Sequence, residues 1–553
     1  MLATLLLTAG LLAAPNETAS ADLVVVNARV WTGNPKFPEA EAIAVKQGKI
    51  LYVGSTAAVR SLVGPFTLRT IDAGGRRVVP GFFDSHLHLL GGGRSLAQVE
   101  LKDAKDEAEF GRRIREFDGK TPRDRWLLGG NWDHDRTFAG TLPTAAMLDK
   151  YVPNRPAFLR RYDGHMALAN TAALKLAGIT KDTKDPPGGV IERLADGSPS
   201  GILKDNAMDQ LDKLIPEPNA EEIREAVLAA AKACAAQGIT SVTDMDGSAP
   251  VTRRALFRTL QDLDRAGQLD VRVDLRWPIA AASELATLGV KANFGTNFVR
   301  IGGVKGFMDG SLGSSTAMMF APYDSNPKTS GVFVTEPAAM RGLIRTANDA
   351  GLSIGIHAIG DRANAELLAL YAEAGNGSRR FRIEHAQHLR PEDYAKFRAG
   401  GVIASMQPYH VVDDGRWAEG RIGAKRCQSS YAFRSLLDAG AVLAFGSDWP
   451  VAPLNVLEGI DAAVNRRTLD GKNPKGWFPE QRISAAEALR AYTAGSAYAA
   501  FQENEKGTLK IGAMADFVIL SADILADGNR DLIGKAKVDA TVLGGKVVYE
   551  RNR

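Results

Sequence analysis

Short apolar runs alternate with helical stretches through the middle of this chain, and that alternation restricts the fold more than any other feature. The runs read ITSVTD, FVRIGGVKGFMDG, LSIGIHAIGD, FRIEHAQH, GVIASMQP and AVLAFGSDWP. Helical segments such as PAAMRGLIRTANDAG and SSYAFRSLLDAG separate most of them. ITSVTD follows NAEEIREAVLAAAKACAAQG, a helix with Asn219 as N-cap and Gly238 just past its end. Repeated strand–helix units predict a parallel sheet and an α/β fold. VVPGFFDSH and RWLLGGNWD bring the strands to eight, the number that closes a (β/α)8 TIM barrel.

The two chain ends have another texture. Residues 22–80 carry DLVVVNARVW, AIAVKQGKILYVG and RTIDAGGRRVV, and residues 501–553 carry KGTLKIG, ADFVILSADI and ATVLGGKVVYE. Alternation with Gln-Gly and Gly-Gly turns predicts antiparallel hairpins. Neither end suffices alone, but termini often meet in space, so together they predict one small β-sandwich. The barrel then occupies residues 81–500. The stretch between RWLLGGNWD and ITSVTD is too long for a loop, so residues 135–220 are expected to form an insertion over the barrel mouth. Residues 1–21 have the shape of a secretory signal peptide: an apolar run, then Ala19-Ser20-Ala21 as a small-x-small cleavage site, although a basic start is missing. That predicts an exported, periplasmic or secreted protein.

Chemistry gathers at the predicted strand ends. His86 and His88 end the first strand, His357 the fifth, His385 the sixth and Asp448 the eighth. Such ends converge on one mouth of a barrel. Residues i and i+2 of a strand share a side, so His86 and His88 can reach one ion. Imidazole and carboxylate donors suit a divalent metal, Zn²⁺ first, with Mn²⁺ or Fe²⁺ as alternatives. Asp84 shares the alternation of His86 and could support a ligand. No G-x-S-x-G elbow is present, which argues against a serine nucleophile.

Other classes are excluded by composition. A net charge of +4 on 553 residues without a dense Lys/Arg block argues against nucleic acid as a partner. No segment past the leader approaches the ~20 apolar residues of an integral membrane span. The two cysteines, Cys234 and Cys427, rule out a disulfide scaffold and leave one bridge open. A small-molecule substrate is expected, and a homo-oligomer stays open.

The motifs PGFFDSHLH, GGNWDHD, RYDGHMALAN, VKGFMDGSLGSSTA, IHAIGDRAN, RIEHAQHL and FGSDWPV, taken together, resemble the amidohydrolase superfamily. More closely, the chain resembles its N-substituted formamide deformylase-like branch, amidohydrolase family 3, over roughly residues 22–550. The resemblance implies a metal-bearing barrel with a sandwich made from both chain ends. It implies metal ligands at His86, His88, His357, His385 and Asp448. It also implies a bridging ligand at Lys305, which ends the predicted fourth strand. A lysine buried in a barrel is costly to charge, and a neutral amine can take up CO₂ as a carbamate. The alternative is a lysine that snorkels or pairs with Asp309.

On this reading His86, His88, Lys305 and Asp448 hold one cation, and Lys305, His357 and His385 hold a second; a one-metal site stays open. Asp448 takes the proton of the attacking water and passes it to the leaving amine. The expected reaction is hydrolysis of a C–N bond in an amide, N-substituted formamide or cyclic amide. Ester or carbamate hydrolysis is the alternative, and a non-catalytic binding protein on the same fold is a third reading. The resemblance places His165 near the site, where it would contact substrate or stabilise an oxyanion, against a surface histidine at a helix start. Asp309 and Ser311 would orient Lys305 or bind substrate, with turn chemistry favoured for Ser311. Trp132, Trp449 and Met406 would line the pocket or pack the core. His388 is expected to face solvent, and His134 and His410 to sit in mouth-side loops without binding metal.

Overall fold

The computed structural model describes residues 20–161, 166–186, 189–205, 207–246, 250–313, 315–375 and 379–552. The expected signal peptide lies outside them except for its last two residues. The chain forms two compact units: Met1–Leu89 with Ala231–Arg253 and Leu260–Arg553, and Leu90–Ala230 with Arg254–Thr259.

The first unit holds the barrel. Its eight strands are β1 (Phe82–Leu87), β2 (Ile239–Asp244), β3 (Arg272–Pro278), β4 (Val299–Phe307), β5 (Ile354–Ala358), β6 (Arg382–His385), β7 (Ile403–Met406) and β8 (Val442–Phe445). Each pairs in parallel with the next, from β1 to β8. The helix Pro337–Asp349 shows why the intervening segments pack on the sheet: Pro337 opens it, and Met340, Ile344 and Ala347 make one buried stripe.

The seam between β8 and β1 is nearly closed at the mouth. The Asp448 amide donates to the His86 carbonyl at 2.7 Å, and the His88 amide to the Trp449 carbonyl at 2.9 Å. The Ser447 amide donates to Asp84 Oδ1 at 3.0 Å. A side chain on Gly446 would come within 2.4 Å of the His86 nitrogen, so only glycine permits this approach.

Seven of the eight expected barrel strands are present. The exception is RWLLGGNWD. It forms Leu127–Trp132 of the second unit and pairs in parallel with Ala157–Arg161. The missing barrel strand is β3, whose Arg272, Asp274 and Arg276 alternate along it. Charges at every second position look unlike a buried parallel strand, yet all three residues are buried.

The second unit carries a six-stranded sheet that includes Leu127–Trp132 and the expected hairpin, Gly189–Arg193 with Pro199–Asp205. Its core packs Val99, Phe110, Ile114, Leu127, Trp132, Leu159, Leu168 and Ile202. It starts at Leu90, well before the expected boundary at 135.

Both chain ends build the sandwich within the first unit. One sheet joins Leu23–Val26, Ala42–Lys46, Lys49–Gly54 and Arg69–Asp72; the other joins Arg29–Trp31, Glu39–Ala40 and Arg77–Pro80 to Phe517–Leu520, Val538–Leu543 and Lys546–Glu550. The pairing is mixed rather than purely antiparallel, because Leu23–Val26 runs parallel to Arg69–Asp72 and Arg29–Trp31 to Arg77–Pro80. Val25, Val30, Ile43, Val45, Val78, Phe517, Ile519 and Val542 share one core. Cys234 and Cys427 are free and buried, so the bridge left open by the sequence is not made. No helix among the described residues is long and apolar enough to cross a membrane.

Candidate metal centre

The C-terminal ends of β1, β5, β6 and β8 bring five of the expected residues together. His86 is buried, and its Nδ1 lies 2.8 Å from Glu384 Oε2. Its Nε2 is buried with no hydrogen-bond partner and faces Asp448 Oδ1 at 3.5 Å. His88 Nε2 lies 3.1 Å from the same oxygen. The His385 ring sits 5.0 Å from His86 and 4.5 Å from His357, centroid to centroid. His385 and Asp448 both have positive φ, 73° and 61°, uncommon for side-chain-bearing residues and found most often where a function holds the backbone.

Burial keeps three of the imidazoles, His86, His357 and His385, uncharged. It pulls His86 down to about 4 and His357 to about 3, in each case helped by the charge of Lys305. His385 is held well below its ordinary range by burial and by His357. Burial works against the Asp448 carboxylate, but hydrogen bonds from His410 and His88 hold it well below the usual range. Likewise Glu384 stays ionised despite burial, because Arg382 and His86 hold it.

These facts decide whether a cation fits. A neutral His86 has one N–H and one lone pair. The Glu384 carboxylate takes the N–H at Nδ1, so the lone pair at Nε2 faces another carboxylate oxygen. Two acceptors aimed at each other need a positive centre between them. The donor atoms of His86, His88 and Asp448 lie within 4.8 Å of one another, as do those of His385, His410 and Asp448. A carboxylate behind a histidine is the usual support of a metal-binding imidazole. His357 is held similarly: its Nε2 lies 3.0 Å from the Gly310 carbonyl, which leaves Nδ1 as its lone-pair nitrogen.

The barrel bore beneath is charged. Arg382 Nε lies 2.8 Å from Glu384 Oε1, and its Nη2 donates to Ser85 Oγ at 2.9 Å and Ser405 Oγ at 2.8 Å. Arg276 reaches Asp274 at 3.3 Å and Ser353 Oγ at 2.9 Å. Gly302 makes room, since a side chain there would come within 2.0 Å of Asp274 Oδ1.

Lys305 lies on β4 and is buried, which lowers its pKa to about 8. Its Nζ stands 5.0 Å from the centroid of the Phe307 ring. Asp309 is not its partner: that carboxylate accepts the amides of Met318 at 2.8 Å, Ile359 at 3.0 Å and Gly360 at 2.8 Å, and so ties the loop after β4 to the end of β5. The Ser311 amide donates to Thr316 Oγ1 at 3.0 Å, the turn role favoured for it. Asp84 Oδ1 accepts the amides of His86 and Ser447, which supports His86 through its backbone. His165 lies outside the described residues.

Other expectations need correction. Of the two roles open to Trp132 it takes core packing rather than pocket lining: it lies in the core of the second unit and donates its indole N–H to the Leu159 carbonyl at 2.7 Å. His388 does not face solvent; it is buried, with Nδ1 2.7 Å from Ser430 Oγ. The chain turns at His385 and Ala386, both of positive φ. Met406 and Trp449 are buried. His134 opens the short helix His134–Thr137 of the second unit and accepts from Arg161 Nε at 3.2 Å. Two contributors escaped the sequence reading. Glu384, adjacent to His385 in RIEH, was a legible signal for a buried carboxylate. His410, in the helix Tyr409–Asp414, brings Nε2 to 3.3 Å from Asp448 Oδ2.

The sequence pattern of the amidohydrolase family matches residues 69–549. The protein LONG AFTER FAR-RED 3 of Arabidopsis thaliana is 39% identical over 540 residues, which cover 96% of this chain and 92% of that protein. N-substituted formamide deformylase of Arthrobacter pascens is 26% identical over 570 residues, 97% of this chain and 99% of that one. Among solved structures, an uncharacterized metal-dependent hydrolase from Pyrococcus horikoshii aligns with a TM-score of 0.76 and 29% identity, over 91% of this chain and 98% of that chain.

Proposed function

The chain belongs to the amidohydrolase family, and from that premise we propose that it is a metal-dependent hydrolase cutting the C–N bond of an amide, N-substituted formamide or cyclic amide. One observation carries the reading: the buried, unpartnered Nε2 of His86 faces the Asp448 carboxylate. A metal-dependent hydrolase among the similar structures and a formamide deformylase among the relatives support it.

His86, His88, Asp448 and Lys305 would hold one divalent cation, with Zn²⁺ first by the chemistry of the donors. Lys305, His357 and His385 would hold a second. A cation bound there lowers the pKa of a water and polarises a carbonyl. The chain does the rest. Glu384 fixes the tautomer and direction of His86. Asp448, held ionised by its neighbours, accepts the proton of the attacking water and returns it to the leaving nitrogen. Lys305, buried and easily discharged, bonds its neutral amine to the carbon of CO₂ and releases one proton, becoming a carbamate that offers two oxygens. His165 would contact the substrate.

The test is a panel of N-substituted formamides, N-acyl amino acids and cyclic amides with matched esters, given to metal-loaded protein. Metal-dependent turnover of an amide class is expected. Turnover of esters with every amide untouched would overturn the C–N assignment.

A further inference from the structure

We propose that His410 is a metal ligand: with His385 and Oδ2 of Asp448 it forms a three-donor site for a second cation, which Asp448 links to the cation at His86 and His88. This rests on the metal-dependent reading above and changes its ligand set.

The two oxygens of Asp448 face different partners. Oδ1 faces His86 Nε2 at 3.5 Å and His88 Nε2 at 3.1 Å. Oδ2 faces the other way, to His410 Nε2 at 3.3 Å. The carboxylate thus faces two imidazoles with one oxygen and His410 with the other. The donor atoms of His385, His410 and Asp448 lie within 4.8 Å of one another, close enough for a single ion with ordinary metal–nitrogen and metal–oxygen distances. His385 supplies an independent sign. It is 7% exposed, and its ring is packed among three other imidazoles, His86 at 5.0 Å, His357 at 4.5 Å and His410 at 6.5 Å, centroid to centroid. Imidazoles crowded this closely beside a carboxylate are a donor set that a divalent cation takes.

Three separate elements deliver the donors: His385 ends β6, Asp448 follows β8, and His410 opens the helix Tyr409–Asp414 beyond β7. Because His410 comes from a helix after its strand rather than from the strand end, a search of strand ends passes over it. The competing role is positioning, in which His410 merely orients Asp448.

The experiment is metal binding, without turnover. Chelator-stripped wild-type protein and the His410→Ala variant are titrated with Zn²⁺ against a competing chelator, and metal content is measured after dialysis. The proposal expects two equivalents in the wild type. In His410→Ala the second equivalent should be lost while the first keeps its affinity. An outer-shell partner would instead weaken binding by about 10- to 100-fold with both equivalents retained, and that result overturns the proposal. One equivalent in the wild type overturns it and leaves the hydrolase reading intact; none overturns both. Should His410→Ala not fold, the wild type decides: ¹¹³Cd-loaded protein labelled with ¹⁵N-histidine must show Cd–N coupling at His410, and its absence sinks the assignment.

Discussion

The barrel bore and the sandwich core solve the same problem, filling a dry interior, in opposite ways. The sandwich uses Val, Ile, Phe and Leu from both chain ends. The bore uses Asp274, Arg276, Lys305, Arg382 and Glu384, all buried. Apolar packing needs no partners; a buried ion pair must offset a large desolvation cost and often adds nothing to stability. The difference teaches what the bore's charges are for. Glu384 sits between Arg382 and His86, so the pair beneath the mouth aims a ligand. The sandwich supplies stability, and the bore spends some of it on orientation.

The largest expected effect separates chemistry from both. Asp448→Asn should lower kcat/KM by about 10²–10⁴-fold, the usual worth of a proton-transfer residue, with a thermal melt close to wild type. Next, Glu384→Ala should cost about 3–5 kcal/mol in denaturant unfolding, because it strands Arg382 in the bore, and should weaken metal binding by about 10- to 100-fold. Phe517→Ala should cost a similar amount, about 3–5 kcal/mol, with metal stoichiometry and kcat unchanged. If Phe517→Ala also released metal, the two regions would not be separable. Acid adds an effect that is smaller within any one pH unit. Burial, helped by Arg426, pulls His388 down to about 3, and the unfolded chain titrates near its ordinary 6.5. Its contribution is therefore full above pH 6.5 and is lost as pH falls from 6.5 toward 3, by about 1.4 kcal/mol per pH unit. His388→Gln should flatten that slope in urea titrations at fixed pH. The smallest effect belongs to an exposed ion pair, Arg112 with Glu116 at 2.7 Å; breaking it should cost at most about 0.5 kcal/mol. A larger loss would mean that charge itself, rather than burial, sets the bore apart.

Much of this was legible in the residues. Alternation and turn residues revealed the sandwich, and histidines at the ends of apolar runs marked the mouth. What escaped did so for physical reasons. The strand Arg272–Pro278 carries charges at the positions where an ordinary barrel has aliphatic residues, so its pattern matched an exposed strand. RWLLGGNWD is a genuine strand with a parallel partner, and nothing local shows which sheet it joins. The second unit was recognised by the length of its gap but not by its start at Leu90, since α/β texture continues across that point. Glu384 lies against His86 and His410 against Asp448, partners distant in sequence, which no spacing rule reaches.

The central claim is that the mouth works through a bound cation. Its most direct test is a Zn²⁺ titration of chelator-stripped protein while hydrolysis of the best substrate in the amide panel is followed. The account predicts no turnover at zero metal and a rise that saturates at stoichiometric Zn²⁺. Full turnover by the stripped protein, or saturated protein holding well under one equivalent, would contradict it.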